Sequence, residues 1–211
     1  MNNQEKLMHT VAITEAVNRY FAALDQKQFD VTTLSQIFAE DAKIVRPNGA
    51  VTTGPKAIGD SHRHSLSRFR ATQHLTSGFL ITLTNDTSAE FRANLVAMHL
   101  WAEGHGDPNV NPNDNYFLAG GVLTGHLLLQ ANEWRITEIA NHVSWRRGTG
   151  FQQILQTEFN QNLETVAPID ARGAQSSTDV ALAVLGGNAA RLPTPSANRH
   201  ATAQAQSNRS I

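Results

Sequence analysis

The feature that most constrains this chain is a stretch of alternating apolar and polar residues, 71–101, broken by one turn signal at Asn85 and Asp86. Strict alternation is typical of half-buried β-strands, and a turn in its middle predicts an antiparallel hairpin. One face of the second strand is almost wholly apolar, with Phe91, Ala93, Leu95, Ala97, His99 and Trp101. Such a face must be covered, and the helical segments around it favour an α+β fold.

Each strand of the hairpin carries one histidine near the end distant from the turn, His74 in the first and His99 in the second. Those ends are neighbours in an antiparallel pair, so the hairpin predicts two imidazoles side by side. His99 lies on the apolar face and therefore needs a partner or a cavity. The direction of His74 stays open, because a β-bulge at Gly78 would shift the face by one residue.

The remaining elements follow from the spacing of apolar residues. Helical spacing predicts helices at 10–25, 30–39, 55–70 and 151–163, and alternation predicts further long strands at 116–130 and 133–147. The last strand is expected to place Trp134, Ile136, Ala140 and His142 on one face and Ile139, Val143 and Trp145 on the other. Because both faces are partly apolar, we expect a second subunit to cover the outer one in a dimer or trimer.

Length and composition divide the chain into two parts. The 211 residues predict one domain with additional length, rather than two domains. We place the domain at 8–165. The segment 174–211 is rich in Ala, Ser, Gln, Asn and Thr, which predicts a low-complexity, largely disordered tail.

Charge and residue usage exclude several classes of function. A formal net charge of −1 gives no field for nucleic acid or an anionic membrane, and no apolar run is long enough to span one. The absence of cysteine excludes disulfides and thiol catalysis. The polar N-terminus does not resemble a signal peptide. We therefore expect a cytoplasmic protein.

His62 and His64 on the predicted third helix form a tempting metal motif. Residues two apart on a helix do not share a face, and no carboxylate pair stands beside them at ligand spacing. The pattern therefore favours solvated helix residues and no metal site.

Four segments in this order carry a family resemblance: YFAALDQKQFDVTTLSQIFAEDAKIVRP, GPKAIGD, QHLTSGF and EWRITEIANHVSW. Across about 8–148 the chain resembles the SnoaL-like branch of the nuclear transport factor 2-like superfamily, which includes scytalone dehydratase and a hexachlorocyclohexane dehydrochlorinase. The resemblance implies a cone-shaped α+β barrel, with helices packed in a strongly curved, mostly antiparallel sheet around a pocket.

The resemblance also implies roles for individual residues. Asp25, at the end of the first helix, is expected to orient His74, and His99 matches a second histidine of the pocket. The two tyrosines with which scytalone dehydratase polarises its substrate are not matched. The candidate substrate-binding residues are Tyr20, Trp101, His126 and His142.

Together these residues indicate chemistry that needs no cofactor. A neutral imidazole oriented by a carboxylate is a competent base near pH 7, and His99 would then protonate a departing hydroxyl. We expect a lyase or isomerase, dehydratase- or cyclase-like, acting on a small apolar or polyketide-like molecule. Two alternatives stay open: an epoxide-hydrolase-like enzyme, which needs an Asp–Arg–Asp cluster, and a non-catalytic ligand-binding or dioxygenase small-subunit-like module.

Overall fold

The computed structural model describes residues 2–150. The helix predicted at 151–163 and the tail predicted at 174–211 lie outside the described residues. The described elements are helices α1 (Asn3–Asp25), α2 (Val31–Ser35) and α3 (Pro55–Leu66) and strands β1 (Phe38–Val45), β2 (Val51–Thr53), β3 (Phe69–Leu83), β4 (Ser88–Trp101), β5 (Tyr116–Gln130) and β6 (Glu133–Gly148). None of the helices among these residues is long and apolar enough to cross a membrane.

The strands form one curved, open sheet in the order β2-β1-β6-β5-β4-β3. Only the β1–β6 pair is parallel; the other pairs are antiparallel. The hairpin predicted at 71–101 is confirmed as β3 and β4, and the fold is α+β as the sequence predicts.

Helix α1 begins at a capping box, in which the Asn2 side chain accepts from the Glu5 backbone N–H and the Glu5 side chain accepts from the Asn2 N–H. Its apolar stripe is buried against the sheet and comprises Ile13, Ala16, Val17, Tyr20, Phe21, Ala23 and Leu24. Its exposed residues are mostly polar, but they include the apolar Leu7, Met8 and Val11.

The second helix is shorter than predicted. Asp30 caps it as expected, with its side chain accepting from the Thr33 backbone N–H at 2.9 Å. The helix ends at Ser35, and Phe38, assigned to this helix from the sequence, begins β1 instead. Phe38 is almost fully buried in the core, so its apolar side chain fits either pattern and spacing alone could not decide.

A bulge in β3 settles which way His74 faces. Ser77 pairs with Asn94 and Leu80 with Arg92, so β3 carries one extra residue there, and Gly78 has φ 61°. The extra residue reverses the alternation. Leu75, expected to share a face with Phe79, is therefore 59% exposed on the outer face, while His74 points inward.

Two irregularities in β6 also correct the predicted faces. The pairing shifts between Ile136 and Glu138, and again between Val143 and Trp145. The inward residues are consequently Trp134 and Ile136, then Ile139, Asn141 and Val143, and finally Arg146. His142 is exposed, and Val143, expected on an outer contact face, lines the interior.

Candidate active site

A cavity of about 250 Å³ lies between the C-terminal half of α1, helix α3 and the helix-covered face of the sheet. Much of its wall is apolar: Phe21, Leu24, Leu66, Phe69, Leu95, Phe117, Leu123 and Ile139. The polar side chains that reach it include His62, His74, His99, Asn141, Arg46, Arg68 and Arg146. An apolar chamber with a few converging polar groups is the usual form of a small-molecule site.

The carboxylate of Asp25 holds His74 at the cavity wall. His74 Nδ1 lies 2.6 Å from Asp25 Oδ1, and the His74 backbone N–H donates to Asp25 Oδ2 at 2.9 Å. The Thr72 hydroxyl donates to Oδ1 at 2.8 Å. The predicted pairing of Asp25 with His74 is thus present in the structure, with only 7% of the His74 side chain exposed.

These hydrogen bonds also determine the protonation of the pair. Burial alone raises the pKa of the Asp25 carboxyl, but the hydrogen bonds from the His74 ring and backbone and from Thr72 outweigh it and hold this pKa below its usual value. An ionised carboxylate only accepts hydrogen bonds, so Nδ1 of His74 carries the proton. With Nδ1 protonated in this way, Nε2 is the ring nitrogen that can accept a further proton.

Asp25 ends α1, where a negative charge opposes the helix dipole. The chain reverses directly after it: Lys27 has φ 55°, and its ammonium group donates to the Phe69 carbonyl at 2.7 Å. This contact ties the end of α1 to the start of β3. The three donors to Asp25 offset the unfavourable position of its charge.

His99 shares the cavity with His74 but has a different environment. The two ring centroids are 5.6 Å apart with nearly perpendicular planes, and His99 stacks on Phe117 at 4.2 Å. Burial and, to a smaller extent, the positive charge of a protonated His74 lower the pKa of His99 to about 3. Its Nδ1 is buried and has no hydrogen-bond partner among the described residues.

Asn141 is a second cavity residue with an unpaired atom. Its Oδ1 is buried without a hydrogen-bond partner within residues 2–150. Leaving a buried acceptor unpaired costs about 1–3 kcal/mol. Sequence analysis missed Asn141, because the bulge in β6 that turns it inward gives no residue signal of its own.

Tyr20 and His62 form a buried pair at another wall of the cavity. The Tyr20 hydroxyl lies 3.1 Å from His62 Nε2. Burial raises the pKa of Tyr20, and burial, then the charges of Arg46 and His74, lower the pKa of His62 to about 4. Both groups are therefore neutral at pH 7, and a hydrogen bond joins the phenol oxygen to Nε2 of the imidazole.

The burial of His62 corrects the prediction that it is solvated. His62 is four residues from both Ile58 and Leu66, which are buried on the same face of α3, whereas His64 is exposed. The i, i+4 spacing was the signal that could have found it.

The other predicted substrate contacts do not reach the cavity. Trp101 is buried behind it, packed on Phe69 and Phe117, and its indole N–H donates to the Thr149 carbonyl at 3.0 Å. Trp101 thus supports the aromatic wall without lining the cavity.

His126 and His142 lie on the outer face of the sheet. His126 stands 3.8 Å from Glu90, and His142 lies 3.3 Å from the Thr124 hydroxyl. For His142 the physical reason is the bulge in β6, which turns Asn141 inward in its place. Among residues 2–150 no group of three His, Asp or Glu side chains is arranged to hold a metal ion.

The fold and the cavity define a class: small-molecule-binding α+β proteins in which helices cover a curved sheet. The family profile of the SnoaL-like domain matches residues 5–140. The chain therefore belongs to the SnoaL-like family and has the nuclear transport factor 2-like fold.

Individual relatives are distant. The chain is 24% identical to terrestric acid biosynthesis cluster protein E from Penicillium crustosum over 139 residues, which cover 65% of this chain and 84% of that protein. A scytalone dehydratase-like protein from Novosphingobium aromaticivorans superposes with a TM-score of 0.60 at 18% identity, covering 70% of this chain and 91% of that one. Hexachlorocyclohexane dehydrochlorinase LinA-type3 from Novosphingobium barchaimii gives 0.59 at 14% identity, covering 70% and 94%. At these identities the structural similarity shows the fold alone.

Proposed function

We propose that the protein is a cofactor-independent lyase or isomerase in which His74 removes a carbon-bound proton. The observation that carries this proposal is the 2.6 Å contact between His74 Nδ1 and Asp25 Oδ1 at the wall of a largely apolar cavity. The carboxylate fixes the tautomer of the base and stabilises the imidazolium that forms. A fold-only module would not need this arrangement.

In the proposed step, the C–H bond next to a carbonyl or leaving group breaks, and its proton moves to His74 Nε2. In a dehydration the C–O bond then breaks, and the departing hydroxyl takes a proton from the imidazolium, which gives water and neutral His74. In an isomerisation the same proton returns to a different carbon. Atoms and charges balance without an oxidant or a metal.

The environment of His99 changes the role expected for it. With a pKa of about 3 it is neutral at pH 7, so it is a poor donor of a proton to a leaving group. We propose that neutral His99, stacked on Phe117, forms part of the substrate-binding wall and that His74 handles both proton transfers. A positive charge on His74 would oppose protonation of His99 further.

The cavity supports a small substrate with an apolar body, because aromatic and aliphatic side chains make up much of its wall. The fungal relative is named for a biosynthesis cluster, which supports a biosynthetic small molecule as substrate. The epoxide-hydrolase alternative has no support, since no carboxylate side chain lines the cavity among the described residues. The expected homo-oligomer and cytoplasmic location stay predictions.

The test combines turnover with a measurement that needs no substrate. Hydroxyketones and halogenated rings are screened for loss of water or halide with the wild type and with His74→Gln; activity that survives in His74→Gln would contradict the proposal. In parallel, ¹⁵N NMR of the free protein, at a pH where the ring is neutral, should show the His74 proton on Nδ1 and not on Nε2. A ring protonated at Nε2 would exclude it as the base.

A further inference from the structure

The charge lining the cavity is strongly one-sided. Three arginines reach it, Arg46 from the end of β1, Arg68 from the segment after α3, and Arg146 from β6. No aspartate or glutamate side chain lines it among residues 2–150. The whole chain carries a net charge of −1, so this concentration of positive charge is local.

Within the described part of the chain, the three arginines form no salt bridges. None of the three has a carboxylate within 4.0 Å there. Arg46 donates to the Ser61 hydroxyl, and Arg68 Nε donates to the Ser65 carbonyl at 2.8 Å. A guanidinium has five N–H donors, so most of this capacity is left for a ligand.

The carboxylate of Asp25 is already engaged by hydrogen bonds on the far side of His74. Asp25 stands behind His74 and accepts three hydrogen bonds, two from His74 and one from Thr72. The field of Arg46 is felt inside the cavity, because its charge lowers the pKa of His62. Guanidinium groups beside an apolar chamber match a molecule with an apolar body and a carboxylate, which arginine binds with two parallel hydrogen bonds.

We propose that the substrate of this site is a carboxylic acid, bound as its anion by Arg46, Arg68 and Arg146. Its apolar body lies against Phe69 and Phe117 and brings the reacting carbon to His74. The inference rests on the proposed function for the presence of a reaction, but the anion preference is a property of binding alone.

The experiment measures binding of two probes of matched shape, 1-naphthoate and 1-naphthamide, to the full chain by isothermal titration calorimetry at low ionic strength. The naphthoate should bind about tenfold more tightly than the neutral amide, as expected for charge-assisted hydrogen bonds. The preference should shrink at about 0.15 M salt, because salt screens the attraction between the carboxylate and the partly exposed arginines. Equal affinities, or binding of neither probe, would overturn the proposal.

Four variants locate the effect. Arg146→Gln and Arg68→Gln should each remove most of the preference for naphthoate while leaving naphthamide affinity unchanged. Arg147→Gln and Arg70→Gln are the matched controls, since both side chains are exposed and neither lines the cavity. An equal loss in the controls would show only a general charge effect and would overturn the proposal. Thermal melts of all four establish that they fold.

The two proposals fail separately. His74→Gln should lose turnover yet keep the preference for naphthoate. If the wild type bound naphthoate and naphthamide equally while its turnover depended on His74, only the carboxylate assignment would be overturned. A clear preference with turnover that is indifferent to His74 would overturn only the proposed reaction.

Discussion

Two walls of the cavity differ in how completely their polar side chains are hydrogen-bonded. On the wall formed by α1 and β3, the Asp25 carboxylate accepts three hydrogen bonds and fixes His74. On the wall formed by β4 and β6, His99 Nδ1 and Asn141 Oδ1 are buried without partners among the described residues. A pair whose hydrogen bonds are complete is preorganised before a substrate arrives, whereas a buried polar atom without a partner costs free energy in the unliganded protein. The first wall therefore holds the proposed base in place, and the second wall is less completely hydrogen-bonded.

The largest effect on turnover should follow from changing Asp25, on the wall whose hydrogen bonds are complete. In Asp25→Asn the amide can donate to His74 Nδ1, so the ring takes the other tautomer and Nε2 loses its lone pair. We expect turnover to fall by about 10²–10⁴-fold, in line with the usual contribution of a positioned base. Steady-state kinetics with a substrate identified by the screen measure this.

The same variant has a built-in control. Combined with His74→Gln, Asp25→Asn should cost nothing more, because residues that act as a unit are not additive. Unchanged turnover in a well-folded Asp25→Asn protein would remove Asp25 from the mechanism.

A smaller effect, with opposite signs for stability and catalysis, should follow from changing Asn141 on the wall formed by β4 and β6. Asn141→Leu removes a buried unpaired acceptor, so the free protein should gain about 1 kcal/mol of unfolding free energy. It should also lower kcat/KM by about tenfold, because Asn141 lines the cavity and the substitution removes polar surface from its wall. Urea unfolding and kinetics measure the two quantities.

The neighbouring substitution His142→Leu serves as the control for Asn141→Leu, since His142 faces outward and should change neither quantity in this way. If Asn141→Leu destabilised the free protein, Asn141 would be a structural residue and the contrast between the walls would weaken.

The pH dependence of stability should report the buried histidines of the cavity. The pKa values of His62 and His99 fall from 6.5 to about 4 and about 3 on folding. Between those values and 6.5 the unfolded chain binds more protons, so stability is complete above pH 6.5 and declines as the pH falls. Each histidine should contribute a slope of about 1.4 kcal/mol per pH unit within its window.

Denaturant unfolding at several pH values, for the wild type and His62→Gln, measures this slope. Glutamine can still accept a hydrogen bond from Tyr20 but does not titrate. The slope of unfolding free energy against pH should therefore fall by about 1.4 kcal/mol per pH unit within the window of His62. His64→Gln, on the exposed face of the same helix, should leave the slope as it is. A wild-type stability that stays flat down to pH 4 would mean that these rings are not buried neutral.

The smallest effects are expected on the outer face. His126→Ala and His142→Ala should alter turnover by less than about twofold, because neither side chain reaches the cavity. If either variant lost most of its activity while keeping its fold, the active site would not lie on the face of the sheet that packs against α1.

The sequence predicted the architecture well for a physical reason. Long amphipathic strands and a helix with one apolar stripe have few ways to bury their faces, so the β3–β4 hairpin and α1 could be found from periodicity. The Asp25–His74 pair followed from the family resemblance, with alternation leaving the direction of His74 open. Asn141 could not be found, because its direction depends on where an extra residue in β6 is absorbed.

His62 shows a different kind of failure. Its spacing from Ile58 and Leu66 indicated burial, but its neighbour His64 drew attention to a metal motif instead. The grouping of Arg46, Arg68 and Arg146 could not be predicted from the sequence. They come from three separate segments, and only the fold brings them to one cavity.

The bulges have a consequence for how such pockets evolve. Which residues of β3 and β6 face the cavity depends on where extra residues lie in each strand, near Gly78 in β3 and near Thr137 and Ser144 in β6. Losing or moving one such residue would exchange inner and outer side chains along half a strand at once. A lineage with this scaffold can therefore acquire a new set of pocket residues through one codon-length deletion or insertion, a far larger step than point substitution allows.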